Sequence, residues 1–293
     1  MSTLQSAAAQ EDRRPIIPKP PYDLSSSGDC ILCSSDGVQF KVYRNILSLA
    51  STVFADMFSM PQGPTTSEGN ISDAIQLTED SHVLQTLLTL LYPVEPPIID
   101  SYDIAADLIV ACDKYGINVM LLKPHLDQSL QHNKGLEMDP LGVYAIAWRL
   151  GLEEDAKNAS RYTHTLDLLD HAVRDSLIRR SGSIDALLAL HDLRLKREIA
   201  LDNVLTAIHI ERRLCSNHLL YGSRNTATQV WMEVKTWLRD FFMAPFPDSG
   251  KLEPYLQSRT CGNCPMSRDG GFSEMLKAAL DKYPYEIKSS FVV

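Results

Sequence analysis

One stretch, 34-SSDGVQFKVYRNILSLASTVFADMFSMPQ-62, restricts the fold more than any other part of the chain. Its apolar residues first alternate, as in a strand with one buried face, and the pair Asp36-Gly37 ahead of them favours a tight hairpin turn. The spacing then changes to three and four, which is typical of a helix, and Ser51 can cap a second short helix. The stretch therefore predicts a β-hairpin that leads directly into two helices. The alternating residues are Val38, Phe40 and Val42, and the helical ones are Ile46, Leu49, Ala50, Val53, Phe54, Met57 and Phe58.

The segments that follow predict a weak strand and further helices. The sequence AIQLT is the weak strand, and Asp80 is placed to cap a helix that stops at Pro93. Another helix runs from about Asp103 to Gly116, a residue type that commonly ends helices. The order strand, strand, two helices, strand and helices predicts an α+β domain in which helices pack on a small sheet.

The N-terminal residues lack this apolar periodicity. They contain Ser, Ala and Gln together with four prolines, a composition typical of disordered segments. We predict a disordered arm over residues 1–26, removable without loss of the fold, and an ordered domain over residues 27–125. Because PIIPKPPYDL cannot form a helix, we expect no N-terminal helix in this arm.

The second half, residues 126–293, reads as almost wholly helical. Asp139 is placed to cap a helix that has Pro140 at its first position and closes at Gly151. The apolar spacing predicts further helices, and a long amphipathic one near the end of this set. These predicted helices span residues 153–177, 184–196, 197–214 and 226–243.

Composition excludes several function classes. The formal net charge of −9 argues against a nucleic-acid surface, which needs clustered Lys and Arg. The N-terminus has no apolar signal-peptide core, and no segment approaches the roughly 20 apolar residues that span a bilayer. Six cysteines are too few for a disulfide scaffold. We therefore expect a soluble intracellular protein, cytoplasmic or nuclear. Enzyme motifs such as the P-loop, the nucleophile elbow and H-E-x-x-H are absent.

The stretch DGVQFKVYRNILSLASTVFADMFSMPQ resembles the core signature of the BTB/POZ family, in which a hairpin with "DG-x-F-x-V-H" leads into helices with "L-x-x-x-S-x-x-F-x-x-M-F". One departure is Tyr43, where the family usually has His. The later segment DPLGVYAIAWRLGLEEDAKNASRYT resembles the helical extension that often follows such a domain, and the layout is similar to fungal BTB-domain proteins. The matching residues are Asp36, Gly37, Phe40, Val42, Leu47, Ser51, Phe54, Met57 and Phe58.

The resemblance implies a non-enzymatic interaction module that self-associates or recruits protein partners. From the residues alone, Phe40, Val42, Phe54, Met57 and Phe58 are core side chains. Without an N-terminal helix to exchange, we expect either a weaker homodimer built on the first helices after the sheet or a monomer.

Two narrower functions follow from the resemblance. One is a substrate adaptor of a cullin-3 ubiquitin ligase, although Met60-Pro61-Gln62 stands where many adaptors carry a hydrophobic-x-Glu motif. The other is a transcription-associated regulator that acts through a DNA-binding partner, because the chain has no DNA-binding array of its own.

The cysteines suggest one metal site and one alternative to it. Cys215 and His218, in a C-x2-H pair, together with Cys261 and Cys264, in a C-x2-C pair, would supply the four ligands of a structural zinc. The alternative is that these are ordinary thiols, in which case the chain has no cofactor. A thiol oxidoreductase built on Cys261 and Cys264 has less support, since no βαβ context surrounds them. In the strand at CILC, Cys30 and Cys33 point to opposite faces and cannot share a metal.

Overall fold

The computed structural model of the chain describes residues 14–60, 74–97, 99, 101–126, 136, 138–207, 224–245, 247–259 and 271–287. The chain divides into two compact units, Met1–Gly135 and Leu136–Val293. This division lies further along the chain than the boundary between residues 125 and 126 that the sequence predicts. Among the described helices, none is long and apolar enough to cross a membrane.

The first unit contains a small three-stranded sheet in the order β2-β1-β3. Strands β1 (Cys30–Cys33) and β2 (Gln39–Val42) form the predicted antiparallel hairpin, in which Leu32 lies opposite Phe40. Strand β3 (Ile75–Gln76) pairs in parallel with the other edge of β1. Because β3 lies on the opposite side of β1 from β2, the chain passes from one edge of the sheet to the other between β2 and β3, and two helices lie on that connection.

The described residues of this unit include helices α1 to α4, and three of these begin or end at a capping residue. Ser51 caps α2, Asp80 caps α3 through the backbone N–H of Val83, and Gly116 ends α4 in the left-handed conformation. A short 3-10 turn follows at Val119–Leu121. The helices are α1 (Arg44–Ala50), α2 (Thr52–Ser59), α3 (Ser81–Leu91) and α4 (Tyr102–Tyr115).

The core of the first unit lies between the sheet and these helices. Phe40 and Leu32 of the hairpin are fully buried, and they share this core with the inner faces of α3 and α4. The buried residues of those two faces are Val83, Leu84, Leu87, Leu88, Ala105, Ala106, Leu108, Ile109, Ala111 and Cys112.

The N-terminal segment differs from its prediction. Residues 14–26 lie against the domain instead of forming a disordered arm, and residues 1–13 lie outside the described residues. Tyr22 is buried, its ring packs edge-on against Tyr92 at 5.0 Å, and its carbonyl accepts a hydrogen bond from the N–H of Lys41 in β2. The prolines rule out a helix here, as expected, but an extended segment can still bury an aromatic ring and bind a strand edge.

The second unit is helical in all of its described regular structure. Its helices are α5 (Pro140–Arg149), α6 (Glu153–Ser160), α7 (His171–Ser181), α8 (Ile184–Ala207), α9 (Arg224–Met243), α10 (Leu252–Arg259) and α11 (Gly271–Leu280), and 3-10 turns lie at Arg161–Thr165 and Ser249–Lys251.

Three of the predicted helices have different bounds in the structure. The prediction over residues 153–177 is interrupted by a 3-10 turn and a break before Asp170, which caps α7. The helices predicted over residues 184–196 and 197–214 form one continuous helix, α8, as far as Ala207, and residues 208–214 lie outside the described residues. No Gly or Pro lies within residues 184–207, so nothing in the backbone ends the helix there.

The C-terminal part of the second unit has its own core, to which α8, α9, α10 and α11 contribute. Trp237 stacks between Phe241 and Tyr255, with ring centroids 4.9 Å and 3.8 Å away. Aromatic residues of α9 therefore act as core side chains, as the sequence indicates. The buried members are Leu201, Val234, Leu238, Phe241, Phe242, Leu252, Leu256, Leu276, Leu280 and Tyr283.

Candidate interaction surfaces

The hairpin turn of the first unit is fixed to the start of α3 by Asp36. Gly37 has φ +82, a conformation that glycine adopts without strain. The Asp36 carboxylate accepts hydrogen bonds from the N–H and the hydroxyl of Ser81, at 2.9 Å and 2.6 Å, and from the hydroxyl of Ser34. Burial opposes ionisation, but the hydrogen bonds from Ser34 and Ser81 lower the pKa of Asp36 below its ordinary value. Asp36 therefore joins two elements and stays charged.

Ser51 makes a second joint, between α1, α2 and α4. Its hydroxyl accepts a hydrogen bond from the N–H of Phe54 at 3.0 Å and donates one to the carbonyl of Tyr115. Next to this contact, Gly116 has φ +61, and a Cβ placed there would lie 2.2 Å from the Thr52 hydroxyl oxygen. The end of α4 can approach α2 this closely only because residue 116 is glycine.

Glu79 forms a joint that the sequence gives no sign of. Its carboxylate accepts hydrogen bonds from the Lys114 ammonium, at 3.0 Å, and from the Tyr115 hydroxyl. Burial works against the charged form, but these two donors keep the pKa of Glu79 below its ordinary value. Burial and the adjacent Glu79 raise the pKa of Tyr115. Residue 79 lies in a short link that has no motif, which explains why pattern reading missed this contact.

The apolar residues that match the BTB/POZ signature are partly buried and partly half-buried in the structure. Phe40, Val42, Leu47 and Phe54 are buried, as core residues should be. Met57 and Phe58 were expected in the core but are only half-buried.

Phe58 still has aromatic and cationic neighbours. Its ring stacks on Phe54 at 5.9 Å, and the Arg44 guanidinium lies 5.4 Å from its centroid. Tyr43, at the position where the family usually has His, is partly exposed, and its hydroxyl lies 2.7 Å from the Ser27 hydroxyl oxygen.

The outer face of α1 and α2 exposes apolar side chains, and we call it the α1–α2 surface. Leu49 is 90% exposed, Met60 is 63% exposed and Val53 is 37% exposed. Leu49 and Val53 lie two positions before and after Ser51, whose hydroxyl contacts the end of α4. Met60 follows α2 in an extended conformation, which suits a residue that precedes a proline.

A second apolar surface lies on α8 in the other unit. Its members are more than half exposed although large and aliphatic, and they alternate along the helix with residues that face the core. We call them the α8 stripe, which consists of Ile184, Leu188, Leu195 and Ile199.

The second unit is held together by arginine side chains that reach distant carbonyls and carboxylates. Arg197, which is 2% exposed, donates from Nε to the carbonyl of Pro284 at 2.9 Å and from Nη2 to the carbonyl of Tyr285. Arg194 donates in the same way to the carbonyl of Leu166. Arg161 pairs with Glu286. None of these arginines belongs to a recognisable motif.

A cavity of about 230 Å³ lies beside these arginines. Small-molecule sites usually measure roughly 300–1,000 Å³, so this one is small for a ligand pocket. Burial lowers the pKa of His164 on its wall, and the neighbouring Arg197 and Arg194 act in the same direction. The polar lining consists of Thr163, His164, Arg194, Arg197 and Glu198.

The predicted zinc ligands Cys215, His218, Cys261 and Cys264 lie outside the described residues, so the zinc site stays a prediction. In the described ranges, no group of three or more His, Cys, Asp or Glu is arranged to hold a metal ion. Cys30 and Cys33 of β1 and Cys112 of α4 are buried free thiols. Burial raises the pKa of Cys112 to about 11, which makes it an unreactive core residue.

Comparison with known families gives one match. Residues 22–134 match the family described as BTB/POZ domain. The match includes the hairpin and helices α1 to α4, and it begins at the buried Tyr22, within the segment predicted to be disordered. No curated protein matches the chain.

Proposed function

We infer from the BTB/POZ domain that residues 22–134 form that this chain works as a protein-interaction module, and we propose that the α1–α2 surface is where its BTB/POZ domain binds protein. Domains of this type generally mediate self-association and partner recruitment and do not catalyse reactions.

The observation that carries this proposal is the exposure of Leu49, Val53 and Met60 on adjacent elements of the domain. Single exposed apolar side chains are common, but a group of them on adjacent elements favours a protein contact. Covering a side chain of this size contributes about 1.5–3 kcal/mol. Three such residues supply the apolar centre of an interface.

The surface is also preorganised for binding. Ser51 ties the start of α2 to the end of α4, and Phe54 stacks between Phe58 and Tyr115 at 5.9 Å and 4.9 Å. Helices that are fixed in this way lose little conformational freedom when a partner covers them. A partner therefore meets a rigid face.

The proposal is tested with Leu49→Lys. The variant should fold normally, because residue 49 is 90% exposed, and it should lose partners in affinity purification with quantitative mass spectrometry. Leu24→Lys is the matched control, since Leu24 is an exposed leucine of the same domain and the charge change is identical. Equal partner recovery from wild type, Leu49→Lys and Leu24→Lys would contradict the proposal.

Self-association through the same surface is the first specific version. The described residues 14–29 contain no helix that two copies could exchange, and this version places the dimer contact on α1 and α2. Light scattering of the full chain should give a dimer mass that falls in Leu49→Lys and persists in Leu24→Lys. A dimer that is equally stable in all three proteins would contradict this version.

Recruitment of cullin-3 is the second specific version. Met60 is exposed at the end of α2, where family adaptors place a hydrophobic-x-Glu motif, but Gln62 replaces the acid. Pro61 and Gln62 lie outside the described residues. A pull-down with purified cullin-3 tests this version: binding should fall in Met60→Ala, and binding no stronger than that of the variant would contradict it.

A further inference from the structure

Helix α8 carries apolar residues on two opposite faces. With 100° per residue, the α8 stripe lies within an arc of about 60° around the helix axis, opposite the buried face. Helices of soluble domains usually have one apolar face, which packs on the core. The second face therefore needs its own explanation. The buried face consists of Ala186, Leu187, Leu190, Leu193 and Leu201.

The stripe follows one face of α8 as two pairs of aliphatic residues, on either side of the turn that contains His191 and Asp192. Ile184, Leu188, Leu195 and Ile199 are 59%, 56%, 60% and 52% exposed, and at 1.5 Å per residue they extend over about 22 Å. Together they expose on the order of 400 Å², which is the size of functional patches on soluble proteins.

Successive members of the stripe are four, seven and four positions apart along the sequence, so the spacing is the same in both directions along the helix. A helix with this spacing matches itself when a second copy runs antiparallel to it about a two-fold axis between His191 and Asp192. Ile184 then packs on Ile199 of the second copy, and Leu188 packs on Leu195. Both contacts occur twice, as a two-fold interface requires.

We propose that the α8 stripe binds a second copy of this chain through antiparallel pairing of the two α8 helices. This surface lies outside the BTB/POZ domain, so the proposal goes beyond the function assigned to that domain and does not depend on it.

Charges beside the stripe favour the antiparallel arrangement. Asp185 and Lys196 lie on the same flank of α8, and antiparallel pairing brings Asp185 of one copy close to Lys196 of the other. The two Asp192 residues approach the axis, where each is already paired with Lys196 of its own chain. Parallel pairing would instead place the flank that carries Asp185 and Lys196 on opposite sides of the interface in the two copies, so this attraction would be lost.

The size of the patch sets the strength of the contact. Used by both copies, it buries on the order of 800 Å², below the roughly 1,200–2,000 Å² of stable complexes. We therefore expect reversible association in the micromolar range or weaker. A second contact through the BTB/POZ domain would strengthen it by raising the effective concentration.

The test is sedimentation equilibrium of the full chain over a range of concentrations. Leu188→Lys should weaken association at least about tenfold, because a lysine ammonium would be buried against Leu195 of the second copy. Leu195→Glu should have a similar effect. Leu169→Lys, which changes a 74% exposed leucine of the same unit, should leave the association constant unchanged.

Complementary charges test the antiparallel register. In the double variant Leu188→Lys/Leu195→Glu, each introduced lysine faces a glutamate of the other copy, so association should recover. An equimolar mixture of the two single variants should associate more tightly than either variant alone. Parallel pairing predicts no recovery, because like charges would then meet.

Two results would overturn the proposal. One is an association constant that Leu188→Lys leaves unchanged, which is also the outcome if a different protein covers the stripe. The other is weakening by both single variants without recovery in the double variant. Repeating the series with Leu49→Lys in every chain removes any association through the α1–α2 surface, so the contribution of α8 is measured alone.

Discussion

Two contacts of the first unit and one of the second unit connect distant elements with different kinds of side chain. In the first unit, Asp36 and Ser51 each organise their own turn or helix and also bind a distant element, Ser81 or Tyr115. In the second unit, Arg197 reaches Pro284 and Tyr285 and caps nothing in its own helix. The contacts made by Asp36 and Ser51 have a local signal in the sequence, because these residues also form a turn or a helix cap. The contacts made by Arg197 have no such signal.

The comparison also indicates where each unit is sensitive to substitution. A short side chain at a turn can be replaced at moderate cost, because a hydroxyl or water can take over part of its role. A buried guanidinium that satisfies two carbonyls has no such substitute, because its removal leaves both acceptors buried and unpaired. We therefore expect the largest single-residue effect in the second unit.

Arg197→Met should have the largest effect, a loss of about 3 kcal/mol in the free energy of unfolding of the second unit. Methionine fills a similar volume but donates no hydrogen bond to Pro284 or Tyr285. All three tryptophans of the chain, Trp148, Trp231 and Trp237, lie in this unit, so urea unfolding followed by tryptophan fluorescence measures it selectively.

Arg239→Gln is the control for that prediction. Arg239 also pairs with a carboxylate, at 2.8 Å from Glu198, but both side chains are about half exposed. Exposed ion pairs contribute about 0–1 kcal/mol, so this variant should lose less than about 0.5 kcal/mol. If both variants lose the same free energy of unfolding, the burial of Arg197 does not explain the contribution of its hydrogen bonds to stability.

Gly116→Ala should have an intermediate effect in the first unit, about 2 kcal/mol. Alanine would be strained at φ +61, and its Cβ would meet the Thr52 hydroxyl at 2.2 Å. Hydrogen exchange of the α2 amides measures the loss.

Gly151→Ala separates strain from contact. Gly151 has φ +68 with nothing within 4 Å of an added Cβ, so only strain of about 1 kcal/mol applies there. In the first unit, adding Thr52→Ala to Gly116→Ala should reduce the cost to a similar value. If the double variant is no more stable than Gly116→Ala, close contact with Thr52 is not the cause.

Asp36→Asn should have a smaller effect than Arg197→Met and Gly116→Ala, about 1 kcal/mol at neutral pH. The pKa of Asp36 is lower in the folded state than its ordinary value of 3.8. Its carboxylate therefore stabilises the fold above that value, and the contribution is lost as the pH falls through the lowered pKa. Thermal melts should separate wild type from the variant at pH 7 and bring them together as the pH falls through the lowered pKa of Asp36. A difference that stays constant with pH would contradict a charged Asp36.

Much of the first unit could be predicted from local patterns. The change of apolar spacing after Val42 placed the hairpin and the two helices, and Asp80 and Gly116 marked helix ends. Tyr22 was missed because an extended segment rich in proline has no periodicity, even when it buries a ring against Tyr92. The contacts of Glu79 were not predicted because its two partners, Lys114 and Tyr115, lie in α4, far along the sequence.

The second unit could be predicted less well, although its helical content was clear. The continuity of α8 was missed because apolar residues on two opposite faces obscure the usual one-sided spacing. The joints made by Arg194 and Arg197 were missed because an arginine reads as a surface residue until its neighbours are known.

The sequence by itself determined the α+β class, the BTB/POZ resemblance and the residues that form turns and caps, because these depend on neighbours a few positions away. Tertiary structure decided which apolar residues are covered. Leu49 and Phe54 carry equally apolar side chains in adjacent helices, yet Leu49 is 90% and Phe54 only 2% exposed. Likewise Leu188 is exposed and Leu190 is buried on the same helix. Burial depends on what packs against a residue, and that packing brings together parts of the chain that are distant in sequence.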